Sequence, residues 1–177
     1  MVEKRTADTV AWLLSAQEPA VQYLIRRDLL DEDAGRDRAA ITAGLWVSAL
    51  LAGQQDDGGF GGNPYRKWTG AHWRLVALAE LAVPAGDPPV AAAAEHVLAW
   101  IDNSLRYPPR MVDGLPRSHA SIHGNALGAC TRLGLAGDER TQRLAEAIIS
   151  WQRPDGGWDC DNRVALQSGS RLADRSR

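Results

Sequence analysis

His119 and His123 are four positions apart, so one helical face carries both imidazoles if the helix begins early enough. With Cys160 or Asp159 they offer the nitrogen, sulfur and oxygen donors that bind zinc. The same two residues near a helix N-terminus serve equally as hydrogen-bonding groups on the rim of a pocket. His72, beside Trp73, is a comparable rim candidate. His96 lies in an Ala-rich helical stretch and is expected on its surface, and Cys130 is expected as a small buried side chain. No two carboxylates can be paired for sugar hydrolysis from spacing alone. Seven tryptophans suit sugar stacking and helix packing equally.

The elements that must position these groups are helices. Apolar residues recur at helical spacing in residues 7–16, Ala20–Leu30, Ala39–Leu51, Ala71–Val83, Pro88–Leu105, Ser121–Leu135 and Glu139–Gln152. Pro19, Asp138 and the Pro84–Gly86 stretch supply starts and stops. The loop Asp56–Gly70 is Gly-rich and carries Phe60, Tyr65 and Trp68. Tyr107–Arg117 is a Pro-containing loop, and no stretch alternates cleanly enough to predict a strand.

An internal repeat organises the helices. Gln54–Phe60 (QQDDGGF) returns 98 residues later as Gln152–Trp158 (QRPDGGW), each after an apolar helical stretch. Leu81–Asp87 and Leu133–Asp138 are similar at an offset of about 52, so the unit is about 50 residues, or two helices with their connections. A degraded intermediate turn is expected at Val112-Asp113-Gly114. Such hairpins stack side by side because none buries its apolar faces alone. In each turn Gly58-Gly59 or Gly156-Gly157 bends the chain, Gln54 or Gln152 bonds exposed backbone, and Phe60 or Trp158 packs under the next helix.

Composition narrows the function. The chain has 177 residues, 45% of them apolar and 24% charged, with a net charge of −2. That charge gives no broad drive toward nucleic acid or anionic membrane. No apolar run reaches the roughly 20 residues of a bilayer span, and no signal-peptide core follows Met1. Two cysteines do not make a disulfide framework, so cytoplasmic residence is expected.

Gln-x-x-Asp-Gly-Gly-Trp/Phe after an apolar helix resembles the repeat of the terpenoid cyclase and protein prenyltransferase superfamily, over roughly residues 39–162. The resemblance implies an α/α toroid, in which rings of helices surround an apolar cavity for isoprenoid chains. Where catalytic prenyltransferase subunits read Gly-Gly-Phe-x-Gly-Arg-Pro-x-Lys, this chain has Asn63 at the Arg position and Arg66 at the Lys position. The two zinc-ligand positions fall on Thr69 and Ala71, which replace neither a carboxylate nor a thiolate. No metal and no cofactor are assigned. Arg66 and Lys67 can hold a diphosphate or another anion. Asp159-Cys160-Asp161-Asn162 is one residue short of the Asp-x-Asp-Asp acid motif of class II cyclases, which makes Asp161 the candidate general acid.

The expected fold is all-α, with residues 1–162 as helix hairpins forming a partial α/α toroid and residues 163–177 as an irregular or disordered tail. About 50 residues per pair gives an arc shorter than a full ring, which points to a truncated member or to self-association that covers the open face. The expected function is binding or processing of an isoprenoid or other apolar molecule in a groove, with Trp68, His72 and Trp73 on its rim. The alternatives are a non-catalytic helical scaffold that binds a protein or apolar ligand, and a carbohydrate-active toroid enzyme.

Overall fold

The computed structural model describes residues 2–33, 35, 37–112 and 114–158. Helix α1 is Val2–Leu14 and α2 is Pro19–Leu29. A 3₁₀ segment, Asp37–Ala43, leads into α3, Leu45–Leu51. Then come α4 (Ala71–Glu80), α5 (Pro88–Leu105), α6 (Ala120–Arg132) and α7 (Glu139–Ser150). Between α5 and α6 lies a small antiparallel hairpin, β1 (Arg110–Val112) and β2 (Leu115–Arg117), with Met111 opposite Pro116.

The expected all-α class holds, with two corrections. The third helix is broken at Gly44, which approaches the buried Glu18 too closely to carry a side chain; Glu18 Oε2 accepts from Trp46 N at 3.2 Å and so caps α3 from a distant segment. Val112 ends β1 and Gly114, at φ 74°, directly precedes β2, so these two residues belong to a β-hairpin rather than to a worn helix-ending turn; Asp113 lies outside the described residues.

From α4 onward the helices form two rows. α4 packs on α6 and α5 packs on α7, while α4–α5, α5–α6 and α6–α7 join the rows. The core lies between them. Val90, Ala93, Ala94, Val97, Leu98 and Ile101 give α5 a buried stripe at helical spacing. It meets a core that includes Leu75 and Leu78 of α4, Ala126 and Cys130 of α6, and Leu144 of α7. Asp87 caps α5 by accepting from Val90 N, two prolines follow it, and Asp138 caps α7 through Arg140 N. The similarity at offset 52 is a shared helix ending. Val83 N bonds Leu78 O after Ala82 at φ 59°, and Leu135 N bonds Cys130 O after Gly134 at φ 88°.

The two Gly-Gly turns have the same internal geometry. Gln55 N bonds Gly59 O at 2.8 Å, and Arg153 N bonds Gly157 O at 2.9 Å. Gly58 and Gly156 have φ of 78° and 85°. Gln54 Nε2 donates to Gly58 O and Gln152 Nε2 to Gly156 O. Outward, they differ. Gln54 also donates to Pro89 O at 2.8 Å, and a Cβ on Gly58 would stand 2.1 Å from Ala92 O of α5. A Cβ on Gly156 would meet nothing within 4 Å.

That difference separates two costs. Gly156→Ala meets only the left-handed backbone penalty, about 1–2 kcal/mol. Gly58→Ala meets the same penalty plus a backbone clash, about 1–3 kcal/mol more. Urea denaturation of both variants is expected to show the larger loss at Gly58; equal losses would mean that the turn does not seat α5.

Candidate functional site

The loop after the first turn folds back on the start of α4. Gly70 N donates to Arg66 O at 2.7 Å and His72 N to Pro64 O at 3.0 Å. A Cβ on Gly70 would lie 2.3 Å from Pro64 O, so the loop closes only over a glycine. Arg74 secures the arrangement: it donates to Leu50 O at 2.6 Å, Ala52 O and Thr69 O, and lies over the Phe60 ring. It thereby satisfies carbonyls at the end of α3 that have no partner within that helix.

This closure sets Tyr65 among imidazole and indole rings. Its ring centroid lies 5.8 Å from His72, 5.7 Å from Trp73 and 6.0 Å from His119. His72 also meets Trp73 at 5.1 Å and Trp100 of α5 at 5.8 Å, both edge-on. His72 is fully buried, and neither ring nitrogen has a partner among the described residues. The buried indole N–H groups of Trp73 and Trp100 are likewise unpartnered. Burial drives the His72 pKa down to about 4, with a smaller push from His123.

Trp100 is shared with a cleft beyond this cluster. α5 has 18 residues, about 27 Å, and α4 has 10, about 15 Å, so α5 is much the longer rod. Its last turns present Trp100, Ile101 and Ser104, and the chain continues to Tyr107 and Pro109. Ser118, His119, Ile122 and His123 form the opposite wall, and Trp151 at the end of α7 completes the lining. The space between the walls is about 470 Å³ with its open mouth included. The cavity volume within it is about 40 Å³, on a measure where one water takes roughly 10–15 Å³.

The polar groups of the cleft are connected. His119 is the N-cap residue of α6, and its carbonyl accepts from Ile122 N and faces His123 Nδ1 at 3.0 Å. His123 Nε2 lies 3.3 Å from Ser104 Oγ, and Ser104 Oγ donates to Ile101 O at 2.6 Å. The His123 ring stands edge-on to Trp151 at 4.9 Å. Burial lowers the His123 pKa; the bond to the His119 backbone works against that shift and the His119 charge adds to it.

No family model, curated protein or solved structure matches the chain.

The sequence-derived candidates divide. His72 is in the aromatic cluster, but fully buried rather than on a rim, because the returning loop covers this face of α4. Trp73 joins it half-buried. Arg66, Lys67 and Trp68 face solvent; Lys67 Nζ lies over the Trp68 ring, which packs at a tilt against Trp73. Arg66 and Lys67 do not line the cleft. Asp161, with Asp159 and Cys160, falls outside the described residues. Among the described residues no three His, Cys, Asp or Glu side chains are grouped to hold a metal ion. Cys130 is buried, with its thiol pushed up to about 12 by desolvation, so it is not a nucleophile. His96 is half-buried and sits on Asp57 O of the first turn.

Sequence reasoning did not pick out Tyr65, Ser104, Tyr107 or Ser118. The one available signal was the four-residue spacing of Trp100 and Ser104.

The His72 environment makes stability depend on pH. Between about 4 and 6.5 the unfolded imidazole holds a proton that the folded one does not. Stability is therefore complete above 6.5 and is lost as pH falls toward 4, by up to about 3 kcal/mol. Lowered protonation of His123 acts in the same direction. Denaturant titrations from pH 7.5 to 4.5 are expected to show this decline, and His72→Phe to flatten most of it; an unchanged slope in that variant would assign the effect elsewhere.

Proposed function

We propose that this protein binds an apolar, isoprenoid-like small molecule in the cleft between α5, α6 and α7, as a relative of the terpenoid cyclase and protein prenyltransferase toroids. The observation that carries this reading is the composition of the cleft: Trp100, Ile101, Tyr107, Pro109, Ile122 and Trp151 supply apolar walls, and a few polar residues, Ser104, Ser118, His119 and His123, lie among them. The two rows of alternating helices and the two like turns support the toroid lineage. The cavity volume of about 40 Å³ takes one end of such a molecule, with the remainder lying along the open mouth.

A scaffold role has its own support. Trp12, Leu29, Leu45 and Trp46 are all exposed on α1, α2 and α3, an arrangement that suits a protein partner or a second copy of the chain. Among the described residues no helix is long and apolar enough to cross a membrane.

Thermal-shift screening with squalene, farnesyl and geranylgeranyl compounds and oligosaccharides separates the readings. At least one isoprenoid is expected to raise the melting temperature. Tyr107→Ala, which removes an exposed wall ring outside the core, is expected to weaken that ligand about 5-fold. Stabilisation by oligosaccharides alone would favour a carbohydrate-active protein.

A further inference from the structure

The chemistry of the polar end of the ligand can be read from hydrogen-bond accounting at His123. A carbonyl oxygen only accepts, so the 3.0 Å contact with His119 O places the proton of the neutral ring on Nδ1. Nε2 is then a bare acceptor. Its neighbour at 3.3 Å, Ser104 Oγ, has a single proton, and that proton is directed at Ile101 O over the shorter 2.6 Å contact. His123 lines the cleft and is buried, and its Nε2 is thus left with no committed donor, an arrangement that is unfavourable until one arrives.

We propose that the ligand of this cleft is an uncharged apolar alcohol, whose hydroxyl donates to His123 Nε2. The proposal rests on the cleft being an apolar-ligand site, and it adds the functional group. A diphosphate does not fit. Among the described residues no Lys or Arg lines the cleft: Arg66 and Lys67 are on an exposed loop elsewhere, and Arg110 and Arg117 are opposite each other in the hairpin without lining it. Moving multiple negative charges between apolar walls without a counter-charge is strongly unfavourable. A hydrocarbon fits the walls but leaves Nε2 desolvated and unpaired, and sites built for a hydroxyl discriminate strongly against ligands that lack one. The cavity volume of about 40 Å³ accommodates a hydroxymethyl end.

Three ligands with the same fifteen-carbon skeleton test this: farnesol, farnesyl diphosphate and the saturated hydrocarbon farnesane. Each is titrated into the full chain with tryptophan fluorescence as the readout, since Trp100 and Trp151 line the cleft. Farnesol is expected to bind at least about 10-fold more tightly than either of the others. His123→Phe is expected to remove most of that advantage, with farnesol losing more affinity than farnesane. Tighter binding of the diphosphate, or equal losses for alcohol and hydrocarbon in His123→Phe, would overturn the alcohol assignment and leave the cleft reading standing. No binding of any of the three would overturn the cleft reading and the assignment together. The ranking on the unaltered protein decides the matter even if a variant fails to fold.

Discussion

Between the turn at Gln54–Gly59 and the first turns of α5 there is no room for a side-chain carbon. A Cβ on Gly58 would overlap the carbonyl of Ala92, and one on Gly59 would meet the His96 ring at 2.6 Å. Backbone therefore lies on backbone. The contact is held by hydrogen bonds in two places, from Gln54 to Pro89 O and between His96 and Asp57 O. It sets where α5 begins and how it is rotated. Because α4, α6 and α7 all pack on α5, the position of that one helix propagates through the rest of the core. A side chain that flexed could not fix α5 as closely, since rotamer freedom would loosen the seat.

The repeat that builds this contact was legible in the sequence because its requirements are local. A left-handed turn needs glycine, and a Gln four residues earlier reaches its carbonyl. Helix α5 was legible with its bounds intact, since the Asp-Pro-Pro start and the apolar period agree. The break at Gly44 was not legible, because its cause is Glu18, 28 residues from the backbone N–H it caps. The hairpin was missed because its strands have three residues each, and Pro116 reads as a breaker. The site was half legible. His119 and His123 announce themselves by spacing, but their partners are Ser104 and Trp151 on other helices. His72 looked like a rim residue because nothing in its own helix reveals the loop that covers it.

Charge is distributed in the opposite sense to the cleft. Arg140 forms a fork with Glu95 and also bonds Asp138, and Arg143 reaches Asp102. These pairs link α7 to α5 on the outside. Exposed ion pairs of this kind contribute little stability individually. Their geometric effect is to hold α7 in register along α5, which brings Trp151, the residue after α7, to the end of the cleft. Asp138 acts twice, as the cap of α7 and as a partner of Arg140, and its carboxyl is held down to about 2 mainly by that arginine.

The cleft then follows from helix length. α5 continues through 18 residues, whereas α4 has 10 and α7 has 12. A rod much longer than its partners cannot be covered along its whole length by them alone. Here the remaining cover comes from the loop carrying Tyr107 and Pro109, from the first turn of α6 and from the indole of Trp151. These pieces arrive from different directions and do not interdigitate as parallel helices do, so a gap is left where they meet. The polar residues lining that gap sit near helix ends: His119 at the N-cap of α6, Ser104 in the last turn of α5, and His123 one turn into α6. A helix-end junction therefore supplies hydrogen-bonding groups and apolar walls together. Neutrality follows from the same geometry, because burial at such a junction disfavours any charge that lacks a partner, and His123 is held neutral for that reason.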